Sequence, residues 1–221
     1  TYQKVCYEKI LEFVNNYMDN VTYEFQIIDG NVCVYNYSIS KKDEIKNALK
    51  SIFEKFSKFL GITACYALTM GVGGEVISFN DLSRANIEAE NAVKCRIVEG
   101  RKRIIHYPSL DYVDHTLDEL FSEKDKRAFI NTIETLDLVK LKQNIRNTFA
   151  GFSENDRLNP ILYYELGQRL FRLFTDTMKT MDNNKSKQGL PKIDFSACRS
   201  ISEIRDTVSD RLEADLTAYV E

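Results

Sequence analysis

The chain has 221 residues, 43% of them hydrophobic, 11% aromatic and 29% charged, with a formal net charge of −3. That much apolar surface excludes intrinsic disorder, and the near-neutral balance argues against a free-standing nucleic-acid binder, which needs a basic excess to neutralise phosphates. No apolar run approaches the roughly 18 residues of a membrane span, and no basic-then-apolar leader opens the chain. Five cysteines, Cys6, Cys33, Cys65, Cys95 and Cys198, are scattered without metal-ligand spacing. Reduced, mostly buried thiols and a cytoplasmic setting are expected.

In chain order, Tyr7, Ile10 or Leu11, Val14 and Tyr17 or Met18 predict a helix over 4–19. Strands are expected at 22–28 and 31–37, joined at Asp29–Gly30, a tight hairpin signal. Ser40 and Asp43 form a near capping box for a helix with an apolar stripe of Ile45, Ala48, Leu49, Ile52, Phe53, Phe56 and Phe59, closed by Gly61. A central strand is expected over 62–70, then a turn at Gly71, Gly73 and Gly74. Ser78 and Asp81 cap a helix whose inner face is Leu82, Ala85, Ala89, Ala92, Val93 and Ile97. A last strand runs from Arg103 to Tyr107.

Pro108 and the polar stretch 111–118 mark a change of character, and everything beyond reads as helical. Ser122 caps a helix over 123–135, Asp137 the next, with Leu138, Leu141, Ile145 and Phe149 as its stripe. Asn159–Pro160 starts a long helix carrying Leu162, Leu166, Leu170, Leu173 or Phe174, and Met178. A polar loop over 182–189 follows. Ser200 and Glu203 then form a capping box for a last helix with Ile204, Val208, Leu212, Leu216 and Tyr219. Residues 1–107 carry a net +1 and residues 108–221 a net −4.

Chemistry-bearing patterns are sparse. His106 and His115 have no metal-like partners in sequence. Gly71-Val72-Gly73-Gly74 lacks the Lys-Ser or Lys-Thr of a phosphate loop and reads as a strand–helix connection. Arg101-Lys102-Arg103 reads as a solvated sheet edge. Glu88 and Glu90 point to different helix faces, and Glu24 and Asp29 are isolated, so no convergent acid–base pair emerges. Tyr23, Tyr35, Tyr37, Tyr66 and Tyr107, on expected strands, suit core or interface packing better than base stacking.

The run Ile62 to Gly71 (ITACYALTMG), then Asn80-Asp81-Leu82, the helix Glu88 to Val93 and the segment Glu99 to Tyr107 resemble, in that order, the C-terminal half of GGDEF domains. They resemble more closely the degenerate GGDEF-like domain of YesN-type and CdaR-type bacterial transcription regulators. The resemblance covers roughly residues 5–107. Phe121-Ser122-Glu123-Lys124-Asp125 and the helices after it resemble, less specifically, the segment leading to an AraC-type helix-turn-helix module.

The resemblance implies an α+β fold: a nucleotidyl-cyclase-like sheet with packed helices over 1–107, its first strand missing ahead of Thr1. A linker over 108–118 and an all-helical domain over 119–221 follow. The hairpin that carries Gly-Gly-Asp-Glu-Phe in active cyclases is here Ile28-Asp29-Gly30-Asn31-Val32. Without a carboxylate pair to hold a metal, no catalysis is expected. There are accordingly no expected catalytic, cofactor-binding or metal-binding residues and no cofactor. The implied function is non-enzymatic signal sensing or relay in an AraC-family regulator. Its implied partners are an upstream sensor or receiver domain, DNA only through a helix-turn-helix module absent from this chain, a second copy, and a small effector. The implied location is cytoplasmic, with an upstream membrane anchor allowed. Two alternatives stand beside it: a domain binding GTP or cyclic di-GMP, and a helical protein-interaction or dimerisation module presenting Phe171 or Phe174, two rings that read more readily as closing the local helical core.

Overall fold

The computed structural model describes residues 2–22, 24–28, 32–63, 67–113, 115–153, 157–181 and 192–220. The chain separates into two compact units. The first comprises Thr1–Val93 and Gly100–Ser109, the second Lys94–Glu99 and Leu110–Glu221. The chain thus leaves the first unit for six residues, returns to it, and leaves again.

In the first unit, helix α1 (Tyr2–Met18) packs on helix α2 (Lys42–Thr63). The seam follows from helical spacing. Val14 and Met18 of α1 meet Ile45, Ala48, Leu49 and Ile52 of α2 in one buried cluster. Each such side chain removed from water stabilises the fold by about 1.5–3 kcal/mol. Strands β1 (Glu24–Ile28) and β2 (Val32–Asn36) pair antiparallel, from Glu24 opposite Asn36 to Ile28 opposite Val32. The tip of that hairpin, with Asp29–Gly30, lies outside the described residues. Strand β3 (Met70–Val72) pairs in parallel with β4 (Ile104–His106), Met70 opposite Ile104 and Val72 opposite His106. Side chains alternate along a strand, so Cys33 and Tyr35 of β2, and Met70 and Val72 of β3, all reach the α1–α2 cluster.

Helix α3 (Leu82–Lys94) falls between β3 and β4 in the chain. Its backbone lies against β3 so closely that a β-carbon on Gly71 would stand 2.1 Å from the Ala89 carbonyl oxygen. A β-carbon on Gly73 would stand 2.0 Å from that of Ala85. The glycines therefore serve packing. Without a β-carbon at either glycine, the strand lies directly on the α3 backbone at Ala85 and Ala89.

The expected cyclase-type sheet is not what the chain forms. Among the described residues the strands make two separate two-stranded sheets, and helix dominates both units. This overturns the GGDEF-like fold class, and with it the resemblance to YesN-type and AraC-family regulators. One local cause is plain. The segment expected as a central strand over 62–70 is helical through Thr63, and strand appears only at Met70. Extending an existing helix adds a hydrogen bond for each residue fixed, so α2 runs through Gly61 and past it. Residues 64–66 lie outside the described residues.

The second unit is helical. It contains α4 (Arg96–Glu99), α5 (Leu117–Leu120), α6 (Glu123–Glu134), α7 (Leu138–Ser153), α8 (Ile161–Met181) and α9 (Ile201–Val220). Helix α8 packs against α5, α6 and α9 and is buried on a wide face: Leu162, Tyr163, Leu166, Leu170, Phe171 and Phe174. Gly167 lets the Phe195 ring in, since a β-carbon there would stand 2.7 Å from it. Helix α9 contributes one stripe at spacing four, Ile204, Val208, Leu212 and Leu216, all fully buried.

The helix ends explain much of the local order. Ser122 and Asp125 form a reciprocal capping box on α6, and Thr116 and Glu119 form another on α5 that the sequence reading missed. Such boxes satisfy two orphan amides at once. The stem of Lys126 is buried while its ammonium reaches Asp118 at 2.9 Å and Glu123 at 2.7 Å. These contacts hold both carboxyls below their usual range. The Ser200 hydroxyl accepts from the Glu203 amide, while the Glu203 carboxylate takes the Arg199 amide.

Helix α6 ends at a left-handed residue. The Asp137 amide donates to the Thr132 carbonyl and the Leu136 amide to that of Ile133, a Schellman arrangement. Its left-handed position is Leu136, with φ of 53°. A branched side chain there costs about 1–2 kcal/mol. Leu136→Gly is therefore expected to raise stability by roughly 0.5–1 kcal/mol, after the entropy cost of glycine. Urea denaturation of the two chains measures this; a lower midpoint for the glycine variant would mean that the Leu136 side chain stabilises more than its backbone costs.

Candidate interaction surface

Three large apolar side chains of the first unit stand almost wholly in solvent: Ile39 at 85%, Ile77 at 108% and Phe79 at 86% exposure. Each lies beside a serine that opens a helical turn. Ser38 precedes the 3-10 turn Ile39–Lys41 leading into α2. Ser78 precedes the turn Phe79–Asp81 leading into α3, and its hydroxyl accepts from the Asn80 amide. An apolar residue just before a cap ordinarily folds back onto the first helical turn. Ile77, in that position, does not.

Glu75, ahead of the second turn, bonds to residues on either side of the first. Its carboxylate accepts from the Tyr37 hydroxyl and pairs with the Lys42 ammonium at 2.6 Å. Those hydrogen bonds, Lys42 first and Tyr37 next, hold the Glu75 carboxyl below its ordinary range. Tyr37 is pushed up in turn, by burial and by donating to Glu75. Its ring lies 5.9 Å from that of Tyr35, whose phenol burial raises to about 12. A second carboxylate, Glu88 of α3, accepts from the Gly74 amide at 2.7 Å and from Arg84 at 2.7 Å. The chain just ahead of Ile77 and Phe79 is thus tied at Gly74 to α3 and at Glu75 to α2, and both apolar side chains are exposed. We refer to Ile39, Ile77 and Phe79 as the apolar tip.

The residues weighed from sequence are dispersed by comparison. His106 lies on β4, where burial and then Lys46 lower its pKa. His115 stands 3.5 Å from Glu119 in the second unit. Arg101, Lys102 and Arg103 form an exposed turn entering β4, with positive φ at Gly100 and Lys102. Cys33 and Cys95 are pushed up to about 11 by burial, which keeps their thiols protonated and poorly nucleophilic. Phe171 and Phe174, weighed from sequence as an interface or as closing the local helical core, are 4% and 1% exposed and do the latter. Spacing on the helix was right, and the width of its buried face decided against them.

A cleft of about 250 Å³ lies in the second unit, lined by Asn144, Asn147 and Thr148 over Leu120 and Phe129. Its polar groups are largely engaged within the unit: Asn144 donates to Thr132 at 2.6 Å, Gln143 to Asn147 at 2.7 Å, and Thr148 to the Asn144 carbonyl at 2.8 Å. Among the described residues no group of three His, Cys, Asp or Glu side chains is placed to hold a metal ion. No helix among them is long and apolar enough to cross a membrane. No family model, curated protein or solved structure matches the chain. The exposure of Ile39, Ile77 and Phe79 was missed because each sits singly in a polar turn, where an apolar residue is ordinarily expected to fold under the helix start.

Proposed function

We propose that this chain is a non-enzymatic protein-interaction module and that the apolar tip of its first unit is the contact surface. The carrying observation is the outward display of Ile39, Ile77 and Phe79 on turns braced by Glu75. Ile39 and the Ile77–Phe79 segment are joined by the Lys42–Glu75 ion pair, and exposed apolar surface rimmed by polar groups marks interaction sites. Bracing matters because a contact surface already ordered when free loses little entropy on binding. The free cysteines suit a reducing compartment, which agrees with a cytoplasmic setting.

This replaces the signal-relay reading, which depended on the cyclase-like sheet that the chain does not form. The test is a triple substitution, Ile39→Ser, Ile77→Ser and Phe79→Ser, introduced into cells that express the chain. Exposed side chains contribute little to folding, so the unfolding midpoint of the purified variant should shift by no more than about 0.5 kcal/mol per site. The native assembly containing the chain, sized in extracts by gel filtration, should shrink. An unchanged assembly size with a well-folded variant would sink the proposal.

A further inference from the structure

We infer that α4 is a latch. Strand β3 of the first unit fixes the chain on both sides of it, so releasing β3 opens the core of the second unit, and unseating α4 loosens β3. Where the two ends are fixed gives the first argument. Val93, in the last turn of α3, lies on β3: a β-carbon on Gly71 would stand 2.8 Å from its side chain and 3.0 Å from its amide nitrogen. On the far side of α4, the Met70 amide donates to the Arg103 carbonyl at 3.1 Å, and Met70 pairs with Ile104. Two adjacent residues of one strand, Met70 and Gly71, thereby hold both ends of the segment 94–102.

The second argument is what that segment inserts. Lys94–Glu99 belong to the second unit, where Ile97 joins the buried cluster and Cys95 is 0% exposed. Arg96 donates to the Ser196 and Cys198 carbonyls, Tyr164 to the Lys94 carbonyl and Tyr112 to the Glu99 carboxylate. A helix as short as Arg96–Glu99 does not hold its own shape in water, because nucleation costs more than a single turn returns. Its order comes from its held ends and its seat together. Ends fixed in advance lower the entropy that seating costs. Losing them favours release, and by linkage release weakens β3 by the same factor.

The test perturbs one unit of the full chain and reads the other. Cys198 shares the buried cluster with Ile97, and its carbonyl takes the Arg96 bond, so its thiol reacts with N-ethylmaleimide from states in which the seat has opened. Gly71→Phe, which cannot lie on α3, should release β3, seen as lost protection of the Met70 amide in hydrogen exchange by NMR. Cys198 labelling, located by peptide mass spectrometry, should then rise about tenfold, a usual size for coupling. With four-residue Gly-Ser spacers after Val93 and after Gly100, the same substitution should change it by less than about twofold. In the other direction, Ile97→Asp unseats α4 and should speed exchange of the Met70 amide about tenfold. Unchanged Cys198 labelling once β3 is released overturns the inference, as does an unchanged Met70 amide in Ile97→Asp. Equal acceleration with and without the spacers also overturns it, since the coupling would then bypass α4.

Discussion

Adding one methyl group to Gly73 is expected to destabilise the first unit by about 3 kcal/mol, and Gly71→Ala by a similar amount. The new β-carbons would stand 2.0 Å and 2.1 Å from the carbonyl oxygens of Ala85 and Ala89. Those oxygens are backbone atoms of α3, so no rotamer change relieves the clash, and either β3 or the helix must move. Val93, on the same helix face, adds a second obstacle at Gly71, 2.8 Å away. The same substitution at Gly61 should have the opposite sign. That glycine lies within α2 and has nothing within 4 Å of its missing β-carbon. Alanine there should stabilise by about 0.5–1 kcal/mol through helix propensity alone. Urea midpoints for the three variants decide the matter. Equal, small effects at all three sites would show that β3 and α3 are not packed backbone to backbone.

The second large effect concerns α4. Removing most of one side chain, Ile97→Ala, should lower the stability of the second unit by about 2–3 kcal/mol, and Ile97→Asp should unfold it. Ile97 lies in the same buried cluster as Leu166, Phe174 and Val208. The short helix is held there by more than one contact. Arg96 donates to the carbonyls of Ser196 at 2.7 Å and Cys198 at 3.2 Å, and the Tyr164 hydroxyl donates to that of Lys94 at 3.2 Å. The Tyr112 hydroxyl donates to the Glu99 carboxylate at 2.8 Å. Cutting the chain before Leu110 discards every one of these. A fragment over 110–221 should therefore melt well below one over 94–221, by several kcal/mol in urea denaturation. Equal stability of the two fragments would remove α4 from the core.

Both predictions turn on contacts between residues distant in sequence, and so does the apolar tip. Phe79 in the run Ser78-Phe79-Asn80 looks like a helix start with an apolar residue to be tucked under it. It stands 86% exposed instead, in a segment whose Glu75 reaches across more than thirty residues to Tyr37 and Lys42.

The sequence by itself determined the helices. The stripes Ile45–Ala48–Leu49–Ile52, Leu162–Leu166–Leu170–Phe174 and Ile204–Val208–Leu212–Leu216 were legible, as were the caps at Ser122 and Ser200. Helical spacing and capping are set within a few residues, so a local reading suffices. The hairpin of β1 and β2 was legible as well, but tertiary structure alone decided the pairing of β3 with β4, because a strand of three residues is stabilised only by the partner it meets. Met70–Val72 finds Ile104–His106 across the whole of α3, while the expected strand ahead of it was taken up by α2. It also decided that six residues, Lys94–Glu99, complete the core of the second unit, and that Ile39, Ile77 and Phe79 are left exposed.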